Sequence, residues 1–209
     1  MSDKSLEPVE ESRSEEPKSR PLRVDARRSE DALLKAALEV FTATGVDAPV
    51  REIADKAGVG IATLYRRFPQ RSDLIVAVFR QQVDACADAA VHLADRHRPA
   101  EALARWMLRY ADFIVTKRGL AAALHSGDEA YKKLPEYFDE RMTPALDALL
   151  NSAASAGEVR ADVKAYDLLR AVGNLCMSAK DDQSAYVRRM VTLLVDGLRF
   201  GADHKTKAL

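Results

Sequence analysis

Cysteine is nearly missing from this chain: Cys86 and Cys176 are the only two in 209 residues, far apart and without a Cys-x-x-Cys spacing. That excludes a disulfide framework and a cysteine zinc site. Long apolar runs are missing as well, the longest being Leu74 to Phe79, six residues. A membrane-spanning helix needs about 20, so no such span is expected. Met1 leads into a polar, acidic stretch with no apolar core of a secretory signal, so a cytoplasmic protein is expected. There is also no excess of either charge, with 32 Lys and Arg against 32 Asp and Glu. No global field drives the molecule onto nucleic acid or membrane, so any such binding must come from a local patch. What is present, 47% hydrophobic and 31% charged residues, is the composition of a soluble globular protein long enough to bury a real core.

Residues 1–24 have few apolar side chains and many charges, and are expected to form a disordered tail. The folded part then divides into two regions, 25–70 and 71–205. Both read as helical: alanine is abundant, glycine sparse, and apolar residues recur three and four apart rather than alternating. The fold class is therefore all-α, with about nine helices. A first helix spans about 27–44 and ends at Gly45, and a short one opens at Pro49 and runs to Gly58. Next come Ile61 to Phe68 and a long helix from near Gln70 to about Asp95. Beyond Pro99 the stripe Leu103, Met107, Tyr110 and Ile114 marks another helix, followed by short pieces broken around Ser126-Gly127. A helix from Pro135 carries Pro144, where a kink is expected, and stops at Gly157. Asp162 reads as the N-cap of the next helix, and the last runs from about Gln183 to Phe200.

Two short helices joined by a tight glycine-containing turn, after a longer helix, are the pattern of a helix-turn-helix unit. Here Ile53, Ala54, Val59, Leu64 and Phe68 have the spacing to lock the two helices together, while Gly58 turns the chain. Gly60, Ile61, Ala62, Thr63, Tyr65, Arg66 and Arg67 remain for the outward face. Hydroxyl and guanidinium groups suit phosphates and base edges, and Ile61 or Ala62 suits a thymine methyl group. Residues 60–72 hold Arg66, Arg67 and Arg71 and no acid. This is the local basic patch that the neutral overall charge requires; the bland alternative is a solvated helix face.

The run Val50 to Leu74, with the preceding Ala36-Ala37-Leu38-Glu39-Val40-Phe41-x-x-x-Gly45, resembles the TetR family of bacterial transcriptional regulators. The resemblance covers about residues 27–80. The C-terminal part, with Tyr131-Lys132-Lys133-Leu134-Pro135 and the Gly157 to Asp162 break, is similar to the SbtR-like subgroup. The resemblance implies a homodimer whose three N-terminal helices bind a palindromic double-stranded operator. It implies a C-terminal domain that binds an unknown small-molecule effector and pairs with its twin, and release of DNA when the effector binds. Repression is the implied role. By position, the implied DNA contacts are Arg51, Gly60, Ile61, Ala62, Thr63, Tyr65 and Arg66, with Arg71 as a phosphate ligand. Two positions depart from the family pattern: Pro49-Val50 replaces a capping Ser or Thr, and Arg67 replaces a common His.

Trp106, Tyr110, Phe113, Phe138 and Met142 would be the raw material of an effector pocket, with plain core packing as the alternative. In the family's plan the two C-terminal helices pair with the partner's, through Leu168, Val172, Leu175, Val187, Met190, Leu194 and Leu198. Part of that stripe can face the chain's own core. His92 and His97 are not on one helix face and have no companion ligands, and His125 sits in a loop-like break. No catalytic constellation, metal site or cofactor is implied, and the chain is not read as an enzyme.

Overall fold

The computed structural model describes residues 19–124, 126–178 and 184–200. Eight α-helices follow one another: α1 (Ser19–Thr44), α2 (Val50–Ala57), α3 (Ile61–Arg67), α4 (Arg71–Arg96), α5 (Pro99–Leu124), α6 (Leu134–Ser155), α7 (Ala165–Ser178) and α8 (Ser184–Phe200). A 3₁₀ turn, Glu129–Tyr131, precedes α6. No strand occurs among the described residues. None of the described helices is long and apolar enough to cross a membrane.

Local chemistry explains most boundaries. Gly58 takes φ 68°, a left-handed conformation that glycine adopts without a Cβ clash. The N–H of Gly58 then donates to the carbonyl of Asp55, and that of Val59 to Ala54, closing the last turn of α2. At the start of α4 the Gln70 N–H donates to the Asp73 carboxylate at 2.9 Å, while the Gln70 side chain accepts from the Asp73 backbone. This reciprocal cap fixes the corner between α3 and α4.

Several sequence-based boundaries move. The first helix begins at Ser19 rather than near 27, and only the part of the expected tail before Ser19 lies outside the described residues. Pro49 stands just outside α2 as its N-cap rather than as its first residue. Helix α5 runs unbroken to Leu124, so the short pieces expected from 118 onward are largely its continuation, and His125 lies outside the described residues. Asp162 does not cap α7, which starts at Ala165; its carboxylate instead accepts from Arg160 at 2.5 and 2.6 Å. Helix α6 continues through Pro144.

Helices α1 to α3 and the start of α4 form a head, and the rest of α4 runs into the body formed with α5 to α8. At 1.5 Å per residue, α4 is roughly 39 Å long and belongs to both. Its buried face, Leu74, Ile75, Val78, Phe79, Val83 and Cys86, packs on α1, α5 and α6. The body is centred on Leu103, Trp106, Met107, Met142 and Leu146, all fully buried. Burial of each such side chain contributes about 1.5–3 kcal/mol. The Trp106 N–H donates to the Cys86 carbonyl at 2.9 Å, so its one polar group is satisfied inside the core. At the far end Glu158 accepts from the Ala100 N–H and from Arg98, both at 2.8 Å, tying the α6–α7 link to the start of α5.

Candidate nucleic-acid interface

Helices α2 and α3 pack through Ile53, Ala54, Leu64 and Phe68, all buried. With those residues turned inward, Gly60, Ala62, Arg66 and Arg67 are exposed, Ile61 is 42% and Tyr65 49% exposed, and Thr63 is half-buried. An exposed isoleucine and tyrosine on a seven-residue helix are a cost in water with no packing return, which fits a surface made to be covered.

The arginines divide into two kinds. Arg51, on the exposed side of α2, and Arg66, on α3, meet no acceptor among the described residues, so their guanidinium donors are available. Arg67 is paired with Glu30 on α1, and Arg71 donates to the carbonyl of Val46 in the turn between α1 and α2. Arg67 therefore carries a counter-charge that the basic run itself does not reveal. Arg71 is half-buried and braces the head from the first turn of α4. Glu30 was not legible as a site residue, because it lies 37 positions away and its pairing depends on how α1 crosses α3. A cavity of about 210 Å³ lies between α2, α3 and α4, with Tyr65 and Arg71 among its lining residues.

The five expected pocket residues come together in the body. Trp106 stacks on Tyr110 at 5.7 Å, and Tyr110 and Phe113 each meet the Phe138 ring, at 6.2 and 6.3 Å. Met142, one turn on from Phe138 along α6, is fully buried, while Phe138 itself is half-buried. The Tyr110 hydroxyl donates to the Leu169 carbonyl at 3.1 Å, and burial pushes its pKa well above the ordinary range, so it stays a neutral donor. This is a packed aromatic layer.

Alongside it runs a polar joint between α6 and α4. Arg141 donates to Asp84 at 2.8 Å and to Asp88 at 2.7 Å, and the Tyr137 hydroxyl reaches Asp84 at 2.7 Å. Arg80 of α4 lies over the Tyr137 ring at 4.9 Å. The neighbouring carboxylates raise the Arg141 pKa still further, chiefly through the hydrogen bond to Asp84. The tyrosine of this joint and the aromatic layer's Phe138 are adjacent in sequence, so α6 touches the layer and α4 within one turn.

On α7 and α8 the structure separates two stripes. Leu168, Val172, Val187 and Leu198 turn into the chain's own core, whereas Leu175, Met190 and Leu194 are half-buried. The outward face is drawn by other residues: Tyr166 and Met177 on α7, with Tyr186, Leu193 and Phe200 on α8, each more than two-fifths exposed. On α8 Tyr186, Met190, Leu193, Gly197 and Phe200 follow each other at alternating steps of four and three. That is the spacing of a helix–helix seam. Among the described residues no group of His, Cys, Asp and Glu is placed to hold a metal.

A bundle whose head is a helix-turn-helix with an uncovered second helix defines a class of DNA-binding regulators. Residues 33–78 match the bacterial regulatory proteins of the tetR family, and residues 98–200 match the C-terminal domain of SbtR-like transcriptional regulators. The structure is similar to that of a TetR transcriptional regulator from Streptomyces coelicolor, at 39% identity and a TM-score of 0.71, covering 81% of this chain and 97% of that one. It is also similar to a TetR regulatory protein from Mycobacterium vanbaalenii, at 33% identity and a TM-score of 0.66, covering 86% and 99%. The chain belongs to the TetR family of transcriptional regulators. The fold alone is shared with FadR from Bacillus subtilis, solved with stearoyl-CoA, at 18% identity and a TM-score of 0.56, covering 82% and 98%. No curated protein matches the chain.

Proposed function

We propose that this regulator is a cytoplasmic, homodimeric repressor that binds a palindromic operator and leaves it when a small molecule binds the body. The observation that carries the DNA-binding part is the uncovered α3 surface. Ile61, Ala62 and Tyr65 stand free of the core, and the unpaired guanidinium groups of Arg51 and Arg66 flank them. Apolar contact with thymine methyls and guanidinium contact with phosphate or guanine account for those residue types. Thr63 and the Gly60 backbone complete the edge, while Arg67 and Arg71 face the phosphates from the positions that Glu30 and Val46 hold.

Dimerisation is supported by the outward seam of α7 and α8. An apolar face at heptad-like spacing, with open space beside Gly197, suits a second copy of the same two helices. A two-fold dimer sets its recognition helices on successive major grooves, about 34 Å apart. Control through the body is supported by α6, which touches the aromatic layer by Phe138 and α4 by Tyr137 and Arg141. A ligand that favours a displaced α6 shifts α4, and with it the head, by its differential affinity for the two states.

Fluorescence anisotropy with mixed-sequence duplex DNA tests the interface before any operator is known. The full chain should bind, more weakly as salt rises, and an Arg51→Ala, Arg66→Ala double variant should bind more weakly with a shallower salt dependence. Equal binding by wild type and variant would remove this face from the DNA-contacting surface.

A further inference from the structure

The groove between α4 and α5 lies outside both the DNA-binding head and the aromatic layer, and its chemistry is unlike that of the rest of the body. It has a volume of about 670 Å³ and is open to solvent. Its floor is small, Ala85 and Ala89 with Leu93, so the helices leave a channel instead of closing over it. His92 and Arg96 rise on the α4 side, and Arg105 and Arg109 on the α5 side. In a chain of zero net charge, three guanidinium groups and two imidazoles, those of His92 and His97, line one channel. Asp88 is the one carboxylate among the lining residues, and Arg141 from α6 already holds that group at 2.7 Å. At the rim Glu101 sits against Arg105 at 2.8 Å and His97 at 3.2 Å, leaving Arg96 and Arg109 without a carboxylate partner among the described residues.

Most of the donors are unspent. A guanidinium has five N–H groups in a fixed fork. Arg109 directs a donor to the Ala85 carbonyl at 3.0 Å, and Arg105 directs Nε to Glu101 at 2.8 Å. The Arg105 bond is an ion pair and the Arg109 bond a neutral one, and each leaves further N–H groups of a channel-lining guanidinium without an acceptor among the described residues. Arg96 meets no acceptor among the described residues; its charge complements the C-terminal end of α4 without using its hydrogen-bonding capacity. Arginine forks match phosphate oxygens two at a time, and several around one channel select a ligand with more than one phosphate charge.

We infer that the α4–α5 groove is a second small-molecule site, one that takes a phosphate-bearing anion with at least two adjacent charged groups. The site is independent of operator binding and of the aromatic layer, and it sits on the helix that runs from the head into the body.

Inorganic pyrophosphate is the direct probe. Calorimetric titration of the full chain at fixed ionic strength, without DNA, should show saturable binding at one site per chain. Arg96→Gln, which removes no contact of the fold, should weaken it, and Arg96→Gln with Arg105→Gln should weaken it about tenfold. An Arg51→Gln, Arg66→Gln variant separates this site from the DNA-binding head and should bind as wild type does. Absence of saturable binding, or binding that persists in the groove variants and is lost in the head variant, would overturn the inference.

Discussion

The guanidinium of Arg141 on α6 spans two carboxylates one turn apart on α4, Asp84 at 2.8 Å and Asp88 at 2.7 Å. The Tyr137 hydroxyl shares Asp84, so three side chains and a tyrosine clamp the middle of the helix that joins head to body. The clamp is only partly shielded from water, so its worth lies in geometry more than in raw stability.

Arg141→Ala should therefore lower stability by about 1 kcal/mol or less, and a double-mutant cycle with Asp84→Ala should give a coupling of similar size. The larger effect is expected in dynamics. Hydrogen exchange along α4 between Arg80 and Asp88 should accelerate, with the aromatic core near Trp106 unchanged. Uniform acceleration across the body would show that Arg141 supports the whole core and not the joint.

Glu30 and Arg67 offer a gain of function. In the free protein Glu30 occupies the Arg67 guanidinium. Glu30→Gln should release it, strengthen binding to mixed-sequence DNA, and steepen the salt dependence by about one released ion per subunit. A slope identical to wild type would mean that Arg67 does not reach a phosphate.

Leu193 is 64% exposed in the middle of the α8 seam. Leu193→Glu should leave the helical content of the chain intact and shift its sedimentation from dimer to monomer. It should weaken operator binding as a consequence, because two half-sites no longer share one rigid reader. A dimer that survives this change, and Phe200→Glu beside it, would place the subunit contact elsewhere.

Acid should loosen the α5 end of the body. The Ala100 N–H and Arg98 hold the Glu158 carboxyl below the usual range, and Arg105 does the same for Glu101. A folded-state pKa below the unfolded one contributes stability that is present above the unfolded value and is lost as pH falls through the folded one. The urea midpoint should thus decline on acidification below about pH 5, and Glu158→Gln should flatten that decline. A variant with the wild-type acid profile would exclude Glu158 as a contributor.

Where the sequence was readable, the reason is local. Gly58, Gly60 and Pro69 act within a turn of themselves, so the helix-turn-helix limits follow from residue type and short spacing. The exposed set on α3 follows from knowing which positions pack inward. What depended on distant chain was not readable. Arg67 looked unopposed until α1 brought Glu30 to it, and Arg71 looked like a free cation although the Val46 carbonyl takes one of its donors. On α8 periodicity revealed an apolar helix but not which of its two stripes faced the core. Val187 and Leu198 went inward, leaving Leu193 and Phe200, which looked unremarkable in sequence, on the outer face. Asp162 had the right type for a cap, but a neighbouring arginine, Arg160, claimed it first.

Selection of bound sequences from a random duplex library with the purified full chain tests the central claim most directly. The expected result is enrichment of a two-fold symmetric sequence whose half-sites are spaced for successive major grooves, with the enrichment lost in Tyr65→Ala. Enrichment of a single unrepeated half-site, or of no sequence at all, would contradict a dimer that reads DNA through α3.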